Sequence, residues 1–255
     1  MLRNAFVAVC GLRPRTVLFI HGMWADCDCW ARYQRVFEKS GYSTHALTLL
    51  HHDQPQDLAG LQSTGVMDYV DQAAAVVDSL PEMPIVVGHS MGGLVAQKLA
   101  ERGNVRALVL LSSVSPGGIS RLTPSSACFI SGSLVDIALS RPFIVSAWHA
   151  RFGLTNTLSR REQSVIYTSL LYESGLAMKQ VIEGDIEVDE SKVQCPVLVG
   201  VGGQDRTTPP RVARRIARKY DADYHQYNGK CHFVGGDRDI MHDVLAWCDR
   251  LRYFK

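Results

Sequence analysis

No apolar run in the 255 residues approaches the roughly 18 that a membrane-spanning helix requires, so no membrane span is expected. An excess of charge of one sign is also missing. The 27 basic and 25 acidic side chains leave +2 with histidine neutral, which offers no polyelectrolyte surface for nucleic acid. The seven cysteines (Cys10, Cys27, Cys29, Cys128, Cys195, Cys231 and Cys248) are odd in number and scattered, with no CxxC. Neither a disulfide framework nor a zinc ribbon follows, and most of them read as small buried hydrophobes in a reducing compartment. There is no internal repeat and no low-complexity tract. What is present is 46% hydrophobic and 20% charged, the balance of a globular chain with enough length for a sizeable core. Met1 to Cys10 carries one Arg and the apolar Ala5-Phe6-Val7-Ala8-Val9, shorter than a secretory core and without a following small-x-small site. It reads as an edge strand or a loose leader, and the chain as cytoplasmic.

Short buried strands alternate with helical patterns, which predicts an α/β fold with a mostly parallel sheet and helices on both faces. Thr16–Ile20 is a continuous apolar run, as for a strand buried on both sides. Trp30, Tyr33, Val36 and Phe37 have helical spacing ended by Gly41. Thr44–Leu50 reads as a strand, Met67–Leu80 as a helix, Pro84–Gly88 as a buried strand, and Val105–Leu111 as another, after a helix reaching about Glu101. From Ser112 to Ser191 the rhythm breaks into mainly helical sequence. It resumes with a strand at Pro196–Val201, a helix at Pro210–Lys219, a strand at Asp223–Tyr227 and a last helix ending near Leu251. The expected division is a core domain of residues 1–113 and 192–255, with residues 114–191 as a helical cap over the sheet.

Gly88-His89-Ser90-Met91-Gly92 is a G-x-S-x-G pattern at a strand-to-helix junction. A serine there sits on a sharp, strained turn that lifts its hydroxyl clear of the sheet, and the glycines at either side keep side chains out of the turn. The helix beginning at Met91 points backbone N–H groups and a positive dipole end at any anion forming beside Ser90. A serine hydroxyl becomes a useful nucleophile only when a base takes its proton and a third group orients that base. Asp205, in the loop leaving the Pro196–Val201 strand, is the first choice of acid; Asp221, Asp223, Asp237 and Asp239 are its rivals. Among nine histidines, His232 alone lies in a loop after the last strand, whereas His225 falls within that strand and His242 within the last helix. The order Ser90, Asp205, His232 suits a sheet of this type. Two N–H donors are needed for a tetrahedral oxyanion, and Met91 and Met23 are the choices, the latter in His21-Gly22-Met23-Trp24 with Trp24 as its rival.

These segments resemble the α/β-hydrolase superfamily, and within it the capped esterase, lactonase and cofactor-free haloperoxidase group. The resemblance spans nearly the whole chain and is weakest from 114 to 191. It implies Ser90 as nucleophile, His232 as base, Asp205 as orienting acid, Met23 and Met91 as oxyanion donors, and no metal or organic cofactor. It also implies that one or two leading antiparallel strands are missing, because little chain precedes Thr16. Superfamily members that replace the serine by aspartate catalyse dehalogenation or epoxide opening, reactions that Ser90 disfavours. The expected activity is hydrolysis of a carboxylic ester, thioester or lactone with a medium, largely apolar substrate, by a monomer or homodimer. Acyl transfer, C–C hydrolysis, perhydrolysis and a non-catalytic ligand receptor are the alternatives. Trp24, Phe129 and Trp148 are expected to touch substrate. His51-His52-Asp53 reads as a polar loop near the mouth of the site, and the basic run Arg211, Arg214, Arg215, Arg218 and Lys219 as a solvated helix face.

Overall fold

A computed structural model describes residues 15–119, 122–234 and 236–251; the stretch Met1–Cys10, expected to be an edge strand or leader, lies outside the described residues. Six strands, β1 (Arg15–Ile20), β2 (Tyr42–Leu47), β3 (Ile85–His89), β4 (Ala107–Leu111), β5 (Val197–Gly202) and β6 (Asp223–Tyr227), form one sheet in the order β2-β1-β3-β4-β5-β6. Every pairing among them is parallel. β1, β3, β4 and β5 lie inside the sheet and are continuous apolar runs, because both their faces are covered. β2 and β6, at the edges, mix polar and apolar residues.

The pleat divides the core. In β1, Val17 and Phe19 point into one layer and Leu18 and Ile20 into the other; in β3, Ile85 and Val87 oppose Val86 in the same way. The Val17 side packs against α1 (Ala31–Lys39), through Tyr33 and Phe37, and α11 (Arg238–Arg250), through Ile240, Val244 and Trp247. The Leu18 side packs against α3 (Val66–Ser79), α4 (Met91–Glu101) and α10 (Pro210–Lys219). A one-turn helix, α2 (Leu58–Ser63), precedes α3.

Between β4 and β5 the described residues add no strand to the sheet. It forms α5 (Pro124–Ile130), α6 (Leu134–Ala138), α7 (Ala147–Gly153), α8 (Arg160–Thr168) and α9 (Gly175–Glu183). Four of the five have a local start signal that explains their position: Thr123, Ser146, Ser159 and Ser174 accept hydrogen bonds from the first-turn N–H groups of α5, α7, α8 and α9. This helical insertion joins the Leu18-side core through Phe129, Ile130, Met178 and Val181.

After β1 the chain moves outward to β2, then returns past β1 to β3. The carboxyl ends of β1 and β3 therefore flank the reversal of strand order, where open α/β sheets leave a crevice. Gly22 and Met23 follow β1, and Ser90 follows β3. Among the described residues, no helix is long and apolar enough to cross a membrane.

Candidate active site

Ser90 occupies the one-residue step between β3 and α4 with φ 53° and ψ −118°. A non-glycine residue is strained in this region, and the surroundings over-determine it. The Ser90 N–H donates to Leu111 O at 3.0 Å, and Ser90 O accepts from Gly93 and Val114 N–H at 3.0 and 2.9 Å. The glycines are required by close approach. A Cβ on Gly92 would run into the carbonyl oxygens of Ile20 and His21, one on Gly88 into the Gly92 carbonyl, and one on Gly22 would come within 2.8 Å of Ser90 Cβ.

The three residues chosen from sequence meet. His232 Nε2 is 3.0 Å from Ser90 Oγ, and His232 Nδ1 is 2.9 Å from Asp205 Oδ2. All three side chains are buried. With Nδ1–H donating to the carboxylate, Nε2 is left as acceptor for the serine hydroxyl. Three of the four rival acids are engaged elsewhere: Asp223 accepts from Trp247 Nε1–H, Asp237 caps α11, and Asp239 pairs with Lys230.

Further residues hold this line in place, and sequence reading gave them no role. Asp205 Oδ1 accepts from the Thr207 and Thr208 N–H groups at 2.9 and 2.8 Å. The Thr208 hydroxyl donates to Ser112 O at 2.7 Å and turns a lone pair to His232 Nδ1–H at 3.2 Å. Only the two amide bonds had a sequence signal, since an Asp in a loop often accepts from backbone N–H groups two and three residues on; the contacts of the Thr208 hydroxyl had none. His89 Nε2–H donates to the His232 carbonyl at 3.0 Å. Burial, then the neighbouring His232, lowers the His89 pKa to about 3, so this ring is neutral and its one N–H is committed. His21 is buried as well, and its Nδ1–H donates to Gly22 O while Nε2 accepts from Leu49 N–H. Burial first, then His52, lowers the His21 pKa to about 3.

Met91 N–H is the first of α4 and has no intrahelical carbonyl to meet. Met23 and Trp24 line two clefts on either side of Ser90. Both are almost wholly apolar, and one is walled by Val114, Leu122, Phe129, Ile130, Met178 and Val181. The other is walled by His232, Phe233, Cys29, Leu154, Ile166 and Leu170. Trp24 and Phe129 thus face the serine region, their rings 5.7 Å apart and edge to face. Trp148 does not. It is 58% exposed and stacks on Phe152 on the outer side of α7. α7 turns Ala150 and Gly153 inward, and Phe129 presses on Gly153, so the large Trp148 is left on the outer face.

The reading of His51-His52-Asp53 as a polar loop at the mouth also needs correction for one residue. His51 is partly exposed and pairs with Asp57, but His52 is fully buried. Its Nδ1 faces Leu50 O at 3.0 Å and its Nε2 faces Glu173 Oε2 at 3.2 Å. Both neighbours only accept, so both ring nitrogens carry protons and the ring is cationic. Burial alone lowers the His52 pKa, but the Glu173 charge and hydrogen bonds outweigh it and raise it; burial likewise opposes ionisation of Glu173, and His52 reverses that. Glu173 Oε1 also accepts from Tyr69 O–H and Ser174 N–H.

The sequence profile of the alpha/beta hydrolase family matches residues 17–239. The chain belongs to the alpha/beta hydrolase family. A dihydrolipoyllysine-residue acetyltransferase component of an acetoin cleaving system from Cupriavidus necator is 30% identical over 188 residues, 70% of this chain. The matched stretch is 43% of that longer protein. Polyneuridine aldehyde esterase superposes with a TM-score of 0.70 at 15% identity, over 92% of this chain and 100% of that one. Tomato methylketone synthase I complexed with 2-tridecanone does so with 0.70 at 17%, over 93% and 98%. At these identities the two structures speak for the fold.

Proposed function

We propose that the protein is a serine hydrolase that cleaves a carboxylic ester, thioester or lactone through an acyl-Ser90 intermediate. The observation that carries this reading is the unbroken run from Ser90 Oγ through His232 to Asp205, 3.0 and 2.9 Å at its two links, on a strained turn beside a cleft. In the first half-reaction Ser90 Oγ bonds to the acyl carbon, and its proton passes to His232 Nε2. The carbonyl oxygen takes the negative charge and is held by the Met23 and Met91 N–H groups. The bond to the leaving oxygen or sulfur then breaks, and His232 gives that atom the proton. Water repeats the sequence, with His232 as base, and releases the acid. Asp205, fixed by the Thr207 and Thr208 amides, favours the imidazolium formed in each half.

The helical insertion, 114–191, acts as a cap whose inner side selects the acyl group. The apolar walls contributed by Phe129, Ile130, Met178 and Val181 favour a medium aliphatic or aryl acyl group. Polyneuridine aldehyde esterase is an esterase by name, which agrees with the reaction class. Fluorophosphonate labelling tests the assignment: wild type is expected to label at Ser90 and Ser90→Ala to stay unlabelled. Ester turnover should fall by at least about 10³-fold in that variant. Labelling that persists in Ser90→Ala would put the nucleophile elsewhere.

The acetyltransferase relative favours a second reading, in which the acyl group passes to an acceptor other than water. A competing thiol or amine separates the two. Free acid as the sole product supports hydrolysis, and acylated acceptor in proportion to its concentration supports transfer.

A further inference from the structure

Two clefts meet at Ser90, and the chemistry proposed above makes them unequal. The leaving atom must receive its proton from His232 Nε2, so the departing half of the substrate lies in the cleft that His232 walls. The acyl half takes the apolar cleft on the Phe129 side, to which His232 does not contribute. Beyond the His232 cleft is a third, larger cavity of about 540 Å³, open to solvent. Cys29, Ile166 and Phe233 contribute to both, so these three side chains form the neck between them.

The outer cavity differs in kind from the two clefts. It is lined by Arg32 and Arg35 on α1 and by Arg161 on α8, all three exposed. None of the three forms an ion pair among the described residues; Arg32 has one long hydrogen bond, to Gly236 O at 3.4 Å. Three carboxylates also line it, and one is neutralised: Asp237 caps α11 and pairs with Lys230 at 2.6 Å. Glu162 accepts from Ser159 N–H and O–H at the start of α8 and keeps its charge. Asp28 and Glu162 are thus left to oppose three arginines without ion pairs, and the walls keep an excess of positive charge. Two elements, one in the core and one in the insertion, contribute these arginines to the outer end of the leaving-group path. Guanidinium forks of this kind suit phosphate and carboxylate oxygens.

We propose that the substrate is an ester or thioester whose departing alcohol or thiol carries a phosphate or carboxylate at its far end, with that anion held by Arg32, Arg35 and Arg161. The proposal rests on the serine-hydrolase reading for its direction and narrows the substrate class. It assigns the negative charge to the leaving half, leaving the acyl half apolar.

The test is a set of octanoyl thioesters that share one acyl group and differ in the end of the leaving thiol: phosphate, carboxylate, hydroxyl or trimethylammonium, on spacers of graded length. At one spacer length or more, wild type is expected to show kcat/KM about tenfold or more above the hydroxyl ester for an anionic end. The phosphate and carboxylate arms identify which anion is preferred. The ratio should collapse towards one in the Arg32→Gln, Arg35→Gln, Arg161→Gln triple variant and persist within a few fold in the matching triple Lys variant. It should also fall as salt rises from about 0.01 M to about 1 M and the screening length shortens from roughly 30 Å to roughly 3 Å. A ratio near one at every spacer length, or a preference that survives the triple Gln change, overturns the proposal. Calorimetric binding of the free phosphate-ended and hydroxyl-ended thiols decides the matter without turnover. Tighter binding of the phosphate-ended thiol, lost in the triple Gln variant, supports the arginine cavity even if every thioester is inert and Ser90 does not label, in which case the hydrolase reading alone has failed. Equal binding of the two thiols counts against the cavity.

Discussion

At the scale of single residues, the line Ser90–His232–Asp205 was legible because each member had a sequence context that ranked it above its competitors. Ser90 had the turn glycines, His232 a loop after the last strand, and Asp205 a loop after β5. The residues that support this line were not legible, because their role depends on which carbonyl or ring nitrogen lies across a gap in the fold. Thr208 shows the difference: it stands 24 residues from His232 and 96 from Ser112, yet it contacts both. Its hydroxyl, tied to Ser112 O, limits the ring of His232 to orientations in which Nε2 faces Ser90. Thr208→Val keeps the shape and removes that tie, so kcat is expected to drop about tenfold with KM nearly unchanged, because ground-state binding is left alone. Thr208→Ser should restore most of it. An unchanged kcat in Thr208→Val, or a loss seen wholly in KM, would show that the hydroxyl does not orient the imidazole.

At the scale of elements, the parallel strands could be read from sequence because β1, β3, β4 and β5 are apolar on both faces and each is followed by a turn signal. The interior of the insertion could not. Its helices are short, and their direction relative to the sheet is set by packing such as Phe129 on Gly153, which periodicity does not encode. That is why Phe129 lines a cleft beside Ser90 while Trp148, an equally apolar residue of the insertion, lies on its outer side. The turn joining β3 to α4 has the opposite property, since its geometry follows almost entirely from local sequence. Gly92 is the sharpest case. The atoms a Cβ would strike are backbone oxygens of Ile20 and His21, in and just after a central strand, and they cannot swing aside as a side chain can. Gly92→Ala should therefore force β1 and α4 apart, at a cost of about 1–3 kcal/mol or more. The expected result is a lower midpoint of urea unfolding together with slower fluorophosphonate labelling. A variant with wild-type stability and labelling would mean that the approach of α4 to β1 is not tight.

At the scale of the whole molecule, residues 171–174 are one of several attachments of the helical insertion to the core, beside Gln180 on Val66, Asn156 on Gln204, Gly153 on Thr207 and Leu154 on Phe233. Leu171 N–H donates to Trp24 O, and the Tyr172 backbone exchanges hydrogen bonds with the Gln56 amide. Glu173 meets His52 and Tyr69, and Ser174 O–H donates to Thr64 O. Because Trp24 follows Met23 directly, the same fastening holds the loop proposed to carry an oxyanion donor. Its buried ion pair makes this attachment pH-dependent, with a sign that follows from the two shifts. His52 has its pKa raised above 6.5, so its contribution is complete below about pH 6.5 and is lost as pH rises through the higher folded value. Glu173 has its pKa lowered below 4.5, so its contribution is complete above about pH 4.5 and is lost as pH falls through the lower folded value. Between these limits Glu173→Gln, which leaves a buried imidazole without its counter-charge, should cost about 3–5 kcal/mol in urea unfolding. The difference from wild type should shrink as His52 deprotonates at alkaline pH. Hydrogen exchange in Glu173→Gln should quicken first at residues 171–174 and at Trp24, ahead of the β3–β4 core, if the insertion opens from this edge. Exchange that quickens uniformly across the sheet, or a stability difference that stays constant from pH 5 to 9, would show that the pair stabilises the fold as a whole and does not act as a clasp of the insertion.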